Sequence, residues 1–190
     1  MSSSRALDPR PFGLSHRTKP STLGPPIVLG VDPGLRVTGW GVVGAAGEEL
    51  QALASGAIAP RHDRPTEERL HQIFEELCAV IERWRPAEVA VEDPFVAQNA
   101  RSAFAIGEAR AVALLAAAQA GLTVRPYAPA AVKLTVAGSG RSDKAQVQEL
   151  VRVQLGLAAA PEPADAADAL AVALCHHLRR RAEARLEGAR

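Results

Sequence analysis

The segment IVLGVDPGLRVTGWGVVG, residues 27–44, decides the fold because it contains two strand signals joined by a turn. Its first run is apolar and rich in β-branched residues, which is typical of a buried strand, and it ends on the carboxylate of Asp32. Pro33-Gly34 is a turn dipeptide, since proline fixes φ and glycine permits positive φ. We therefore predict that residues 37–43 return as the antiparallel partner of the first strand.

The carboxylate of Asp32 has two interpretations. It can cap the turn, as aspartate often does, or it can be a metal ligand or a base beside glycine-rich backbone that a bulky anion can approach. Residues 87–92, AEVAVE, repeat the pattern and end on Glu92. If this strand lies parallel to the first, both acids sit at adjacent carboxyl ends, where open α/β sheets place their sites. Like charges this close share a proton unless a cation intervenes.

Charge is distributed unevenly along the 190 residues, which are 47% hydrophobic with a net charge of +1. Residues 1–26 and 176–190 each carry a net charge of +3, and the region between them, with 13 basic and 18 acidic residues, carries −5. The composition suits one domain with a full core. We predict a disordered basic tail over 1–26, a folded domain over 27–181 and a basic C-terminal tail over 182–190.

Two cysteines, Cys78 and Cys175, fall within helical patterns. This placement favours free thiols in a reducing compartment rather than a disulfide scaffold. No apolar run is long enough to span a membrane, and residues 1–26 lack the apolar core of a secretory signal. We therefore expect a cytoplasmic protein with no membrane partner.

The order of the remaining elements indicates the fold class. After a third strand over 49–58, the pattern predicts helices and strands in alternation: helix 66–84, strand 87–92, helix 100–120, strand 122–125, and helices 128–136, 143–155 and 164–181. A three-stranded meander followed by this succession is the order of an RNase H-like α/β domain. We predict a five-stranded mixed sheet flanked by helices.

The last predicted helix adds two acids, Asp165 and Asp168, spaced i, i+3 on one face. Either can simply cap the helix, because the N-terminus of a helix favours anions, but the spacing also lets both reach one cation. Together with Asp32 and Glu92 they make four carboxylates from three distant segments, without a His or Cys cluster. Such a set suits Mg²⁺ or Mn²⁺. Two such ions can stabilise the attacking and leaving oxygens of phosphoryl transfer.

Two other segments point to partners. Cations outnumber acids over residues 125–152, where Lys133, Arg141 and Lys144 flank the glycine loop AGSGR, residues 137–141. This region is either a phosphate contact or a solvated face. The helix over 100–120 is apolar almost all round, so we expect the sheet on one side and a second subunit on the other. The alternative is a helix buried within one chain.

Four ordered motifs stand out: LGVDPG at 29–34, VEDPF at 91–95, NARSA at 99–103 and DAADALA at 165–171. In this order they resemble the RuvC family of Holliday-junction resolvases. Each motif alone is weak, but their order and intervals are specific, and the resemblance spans about residues 27–177.

The resemblance implies a homodimeric, structure-selective endonuclease of recombination and repair that makes paired symmetric nicks at a four-way DNA junction. It implies that the catalytic metal ligands are Asp32, Glu92, Asp165 and Asp168, which bind two ions in each active site. It further implies that Phe95 stacks on bases, that Lys133 and Lys144 contact the DNA backbone, and that a branch-migration motor is a partner. Asp93-Pro94 departs from the family pattern by placing an extra acid before Phe95.

Two other enzyme classes remain open at this point. A different RNase H-like nuclease would act on RNA–DNA hybrids, and the expected dimer helix argues against it. An actin-like ATPase also begins with a strand, an aspartate and a glycine turn, but it needs a second domain, for which 190 residues are too few.

Overall fold

The three strand signals at the start of the sequence form a meander in the computed structural model, which describes residues 26–47, 49–93 and 100–188. Strand β1 (Val28–Asp32) pairs antiparallel with β2 (Thr38–Ala46). Strand β2 in turn pairs antiparallel with β3 (Glu49–Ile58). The predicted return of residues 37–43 along the first strand is therefore confirmed.

Two later strands extend the sheet on the other side of β1. Strand β4 (Glu88–Glu92) runs parallel to β1, and β5 (Thr123–Tyr127) runs parallel to β4. The resulting order is β3-β2-β1-β4-β5, so β1 is central and the predicted five-stranded mixed sheet is confirmed. Because Val31 lies opposite Val91, β1 and β4 end side by side, on Asp32 and Glu92.

Helices cover both faces of the sheet. The described helices are α1 (Thr66–Trp84), α2 (Ala100–Gln119), α3 (Pro129–Ala137), α4 (Lys144–Gln154) and α5 (Ala164–Gly188). Alternate residues of a strand point to opposite faces. Leu29 and Val31 accordingly pack with α1 and α2, whereas Val28 packs with α3, α4 and α5.

Helix α5 lies directly on the strands because glycine residues leave room for its backbone. A methyl group on Gly30 of β1 would overlap the carbonyl oxygen of Ala169, and one on Gly39 of β2 would overlap that of Asp165. At Gly41 a methyl group would meet the side chain of Leu170 at 2.7 Å. These three glycines, which we call the glycine seat, fix the N-terminal half of α5 against β1 and β2.

Two elements extend beyond their predicted ends. Helix α5 continues past Arg181 to Gly188, so most of the segment predicted as a C-terminal tail is helical, because residues 182–187 are largely strong helix formers. Strand β5 continues to Tyr127 and includes Pro126. Proline is tolerated there because β5 is an edge strand, which does not need every N–H for pairing.

Residues 1–25, which hold nearly all of the predicted N-terminal tail, lie outside the described residues, so the domain limits stay a prediction. Among the helices of the described ranges, none combines the length and apolar character that crossing a membrane requires.

Candidate active site

The carboxylates of Asp32 and Glu92 meet where β1 and β4 end. The two side chains are hydrogen-bonded to each other. Strand alternation places both on the α5 side, since Gly30 and Ala90, two residues earlier on each strand, also face that side. The sequence prediction that these acids lie at adjacent strand ends is therefore confirmed in position.

The two acids of α5 approach the ends of β1 and β4 from the helix that covers this face of the sheet. Asp165 lies in the first turn of α5, and Asp168 follows one turn later. Because Gly39 is in direct contact with the Asp165 backbone, the start of α5 is held next to the end of β1. The charges of both aspartates raise the pKa of Asp32, which shows that the three carboxylates share one electrostatic environment.

Burial and crowding change the protonation of the strand-end pair. Burial is the main reason that the pKa of Glu92 rises to about 8, and the charge of Asp32 raises it further. Burial also raises the pKa of Asp32. Without a divalent cation, one of these two carboxyls therefore holds a proton at neutral pH.

Lys144 brings a positive charge into this group of acids. Its Nζ lies 2.6 Å from Oδ2 of Asp168. The residue occupies the first position of α4, whose N-cap is Asp143. The Asp143 side chain accepts the N–H of Gln146 while the Gln146 side chain accepts the N–H of Asp143. The reciprocal cap fixes the start of α4, and therefore the base of the lysine side chain, beside the start of α5.

The donor set fits hard divalent cations, because all four groups offer carboxylate oxygens. Within residues 26–47, 49–93 and 100–188, however, no three His, Cys, Asp or Glu side chains are close enough together to hold an ion as they stand. For these carboxylates to hold an ion, their side chains would have to rotate closer together.

The other predicted DNA-contact residues lie in separate places. Lys133 is half-buried on α3, and Arg141 is exposed in the loop between α3 and α4, where its backbone N–H donates to Oγ of Ser139. Neither side chain is ion-paired to an acid of the described structure. Phe95 lies outside the described residues, so its predicted contact with bases stays a prediction.

Asp93, the acid that departs from the family pattern, points away from the four carboxylates. Its Oδ1 lies 3.0 Å from Nε of Arg110 on α2, and Nη2 of Arg110 donates to its Oδ2 at 3.2 Å. Asp93 follows Glu92 directly, so it faces the opposite side of the sheet. Its charge is therefore neutralised on the α2 side.

A polar cluster that the sequence reasoning missed anchors the middle of α5. The buried ring of His176 has Nδ1 at 2.9 Å from the hydroxyl of Tyr127 and Nε2 at 2.9 Å from Oε2 of Glu88. Glu88 also pairs with Arg180, one turn along α5. His177 Nε2 lies 3.2 Å from the carbonyl oxygen of Val43, and burial lowers its pKa to about 4. The sequence signal that could have revealed this cluster is the pair of histidines that follows a long apolar run.

The sheet order and the position of the acids define the class of the protein. A five-stranded sheet in this order, with carboxylates at the adjacent ends of β1 and β4 and two more on the last helix, is the arrangement of an RNase H-like nuclease. The family model described as crossover junction endodeoxyribonuclease RuvC matches residues 28–176. The chain therefore belongs to the RuvC family of crossover junction endodeoxyribonucleases.

Similar proteins agree in sequence and in structure. The crossover junction endodeoxyribonuclease RuvC of Dehalococcoides mccartyi is 52% identical over 153 residues, which are 80% of this chain and 93% of that protein. That of Chloroflexus aggregans is 51% identical over 148 residues, 78% of this chain and 90% of its own. The structure of T. thermophilus RuvC in complex with a Holliday junction substrate is 37% identical, with a TM-score of 0.79 over 83% of this chain and 96% of that one. The predicted family and fold are thus confirmed.

Proposed function

We propose that this protein resolves four-way DNA junctions by paired symmetric nicks, through metal-dependent hydrolysis of phosphodiester bonds. The observation that carries this proposal is the meeting of four carboxylates from β1, β4 and α5 beside Lys144, in a chain of the RuvC family. The solved relative bound to a Holliday junction supports the substrate class.

Asp32, Glu92, Asp165 and Asp168 would hold Mg²⁺ or Mn²⁺, two ions in each site. When bound, the ions stabilise charge on the attacking and leaving oxygens of the phosphodiester. The shared proton of Asp32 and Glu92 must leave before both carboxylates can act as ligands, so metal binding releases a proton. Because these two acids are partly buried, bulk water competes less with their carboxylates for the ions.

Phosphate contacts come from the cations on the α3 and α4 side of the molecule. Lys133, Arg141 and Lys144 would hold the DNA backbone, and Phe95 would stack on a base near the cut. Phosphate contacts position the nucleic acid and carry no sequence information directly, so these cations would act on junctions of any sequence.

The outer face of α2 supports a homodimer. Phe104 is 73% exposed and Leu115 is 58% exposed, and the small residues Gly107, Ala111 and Ala118 lie on the same exposed side. A two-fold dimer built on this face would present one active site to each of two equivalent strands.

The family resemblance adds a branch-migration motor as a further partner. Free Cys78 and Cys175 support a reducing, cytoplasmic setting.

A nicking assay on a mobile four-way junction tests this function. We expect paired nicks with Mg²⁺ or Mn²⁺, none with a chelator, and little cleavage of an RNA–DNA hybrid of the same sequence. Asp32→Asn and Glu92→Gln should each lower nicking by about 10³-fold or more, because each removes a charged ligand from the site. Junction binding should persist, since cations elsewhere make the phosphate contacts.

The matched control is Asp63→Asn, which removes one exposed carboxylate that pairs with Arg61 at 2.6 Å. This variant should nick at the wild-type rate. Ordinary nicking by a purified Asp32→Asn protein, or preferred cleavage of the hybrid, would overturn the proposal.

A further inference from the structure

The ammonium of Lys144 directly contacts one of the four acids, Asp168. It lies 2.6 Å from Oδ2 of Asp168, a close charge-assisted contact. The Lys144 side chain is 59% exposed, and that of Asp168 is 26% exposed, so the contact forms at the mouth of the cluster.

The influence of this ammonium reaches beyond its direct partner. Its charge lowers the pKa of both Asp32 and Glu92, against the stronger effect of burial. In the other direction, the hydrogen bond to Asp168 raises the pKa of Lys144, and the charges of Asp165 and Asp32 raise it further. Lys144 therefore interacts electrostatically with all four acids and remains protonated near neutral pH.

A divalent cation would need the same oxygens. The lysine holds Asp168 at the mouth of the cluster, and in the described part of the chain no three acidic or other ligand side chains converge as they would around an ion. A bound divalent ion would also repel the ammonium, since like charges a few ångströms apart disfavour one another.

We propose that Lys144 is an exchangeable counter-ion, which holds Asp168 in the metal-free enzyme and is displaced when a divalent cation binds there. This inference rests on the proposed role of the four acids as metal ligands, and it adds how that site is regulated. The lysine competes with the metal ion, and in doing so it limits metal binding when no DNA is present.

The position of Lys144 allows the displaced ammonium to move away from Asp168. It stands at the first position of α4 on a flexible four-carbon stem, and its side chain is more than half exposed. A DNA phosphate that draws the ammonium away from Asp168 would free that carboxylate for metal. Metal and DNA would then favour each other's binding, and by linkage the effect is reciprocal.

The test is a titration of the purified protein with Mn²⁺ alone, without DNA. Binding is measured by calorimetry and by the electron paramagnetic resonance signal of free Mn²⁺. Lys144→Gln should bind Mn²⁺ about fivefold more tightly than the wild type, because the competing charge is gone. Lys144→Arg keeps the charge and should stay within about twofold of the wild type.

Arg152→Gln is the matched control, because it removes one positive charge from the same helix. Arg152 pairs with Glu149 at 2.7 Å instead of with the four acids, so its loss should leave Mn²⁺ affinity unchanged. Lys144→Ala provides a second neutral variant, and circular dichroism verifies that each variant is folded.

Three results would overturn the inference. Equal or weaker Mn²⁺ binding by both neutral Lys144 variants would show that the lysine does not compete, while the metal site and the proposed function would stand. An equal gain in Arg152→Gln would show a general charge effect. A lack of Mn²⁺ binding by every protein, wild type included, would remove the metal site, and the proposed function with it.

Discussion

On the face of the sheet covered by α5, helix and strands meet backbone to backbone at the glycine seat, whereas on the face covered by α1 and α2, side chains fill the space between layers. Leu29 and Val31 of β1 pack there with Ile73 and Leu77 of α1. Contacts between side chains can adjust by changing rotamers, but contacts between backbones cannot. The α5 face is therefore suited to fixing the acids within a narrow range of positions.

Helix α2, on the α1 and α2 face, presents large apolar side chains to solvent. Helix α2 turns Ala109, Ala113, Ala116 and Ala117 inward and leaves Phe104 and Leu115 outward. Small residues inside allow α2 to pack closely, while large apolar residues outside lower solubility unless something covers them. We propose that the α5 face serves the chemistry and that α2, on the other face, offers a surface for assembly.

Among the variants that test this comparison, the largest effect is expected from a methyl group on the α5 face of β2. Gly39→Ala should lower nicking by about 100-fold, because the added Cβ displaces Asp165 and misplaces the acids of α5. The same variant should lose about 1–3 kcal/mol of unfolding free energy from overpacking. Nicking rates and urea melts measure the two effects.

Gly44→Ala is the control for that comparison. The nearest atom to its Cβ would be Cδ1 of Leu53, at 2.9 Å, and the end of a flexible leucine side chain can move aside. We expect near wild-type nicking from this variant. Equal losses in the two variants would show that the glycine seat does not position the acids.

On the other face, a charge should separate subunits without unfolding the chain. Leu115→Glu should give a monomer, with a monomer stability within about 0.5 kcal/mol of the wild type, because Leu115 is exposed in one chain. Single nicks in a cruciform plasmid should then replace paired nicks. Sedimentation measures the state of assembly, and Leu186→Glu, at the exposed end of α5, is the control. A wild-type monomer at micromolar concentration, free and on the junction, would contradict the dimer.

Stability should depend on pH through the acids of the α5 face. The pKa of Glu92 is about 8 in the folded protein and near 4.5 when unfolded, so the folded state binds more protons between these values. Its contribution to stability therefore falls as pH rises from about 5 to 8, and the Tm should fall by a few degrees. Glu92→Gln should reduce this fall, and Mg²⁺ should oppose it in the wild type. Thermal melts from pH 5 to 9 test the sign, and a steeper fall in Glu92→Gln would contradict it.

The smallest expected effect concerns single phosphate contacts. Lys133→Gln should lower the slope of log affinity against log salt by about one unit for junctions of any sequence. Arg83→Gln, on α1 and the opposite face, should leave that slope unchanged. Identical slopes for wild type and Lys133→Gln would place Lys133 off the DNA.

Local sequence patterns predicted the strand-end acids but not what holds the helical acids in place. Asp32 and Glu92 each end a short apolar run, so their position follows from strand length and parallel pairing. The glycine-rich backbone beside Asp32 was expected to admit a bulky anion, but at Gly39 and Gly41 the space is filled by α5, which lies more than 120 residues later in the chain. The pairing of Lys144 with Asp168 joins two helices, and no local periodicity encodes it.

The outward face of α2 was unpredictable for a different reason. A helix that is apolar nearly all round gives no contrast between faces, so its sequence does not say which side meets the sheet. Which residues of α2 face inward, here four alanines, depends on how closely α1 and the sheet approach this helix. Asp93, in contrast, was open to prediction, because it directly follows Glu92, the last residue of β4, and adjacent residues of extended chain point to opposite sides.

The position of α5 along the chain also affects how the enzyme is made. All five strands of the described sheet precede it, so a growing polypeptide that has reached residue 163 holds Asp32 and Glu92 but not yet Asp165 or Asp168. Domains form as the ribosome releases them, from the N-terminus onward. An unfinished copy therefore carries half of the four acids above an uncovered row of glycines, and under the proposed function its metal site is incomplete until translation has delivered the last helix.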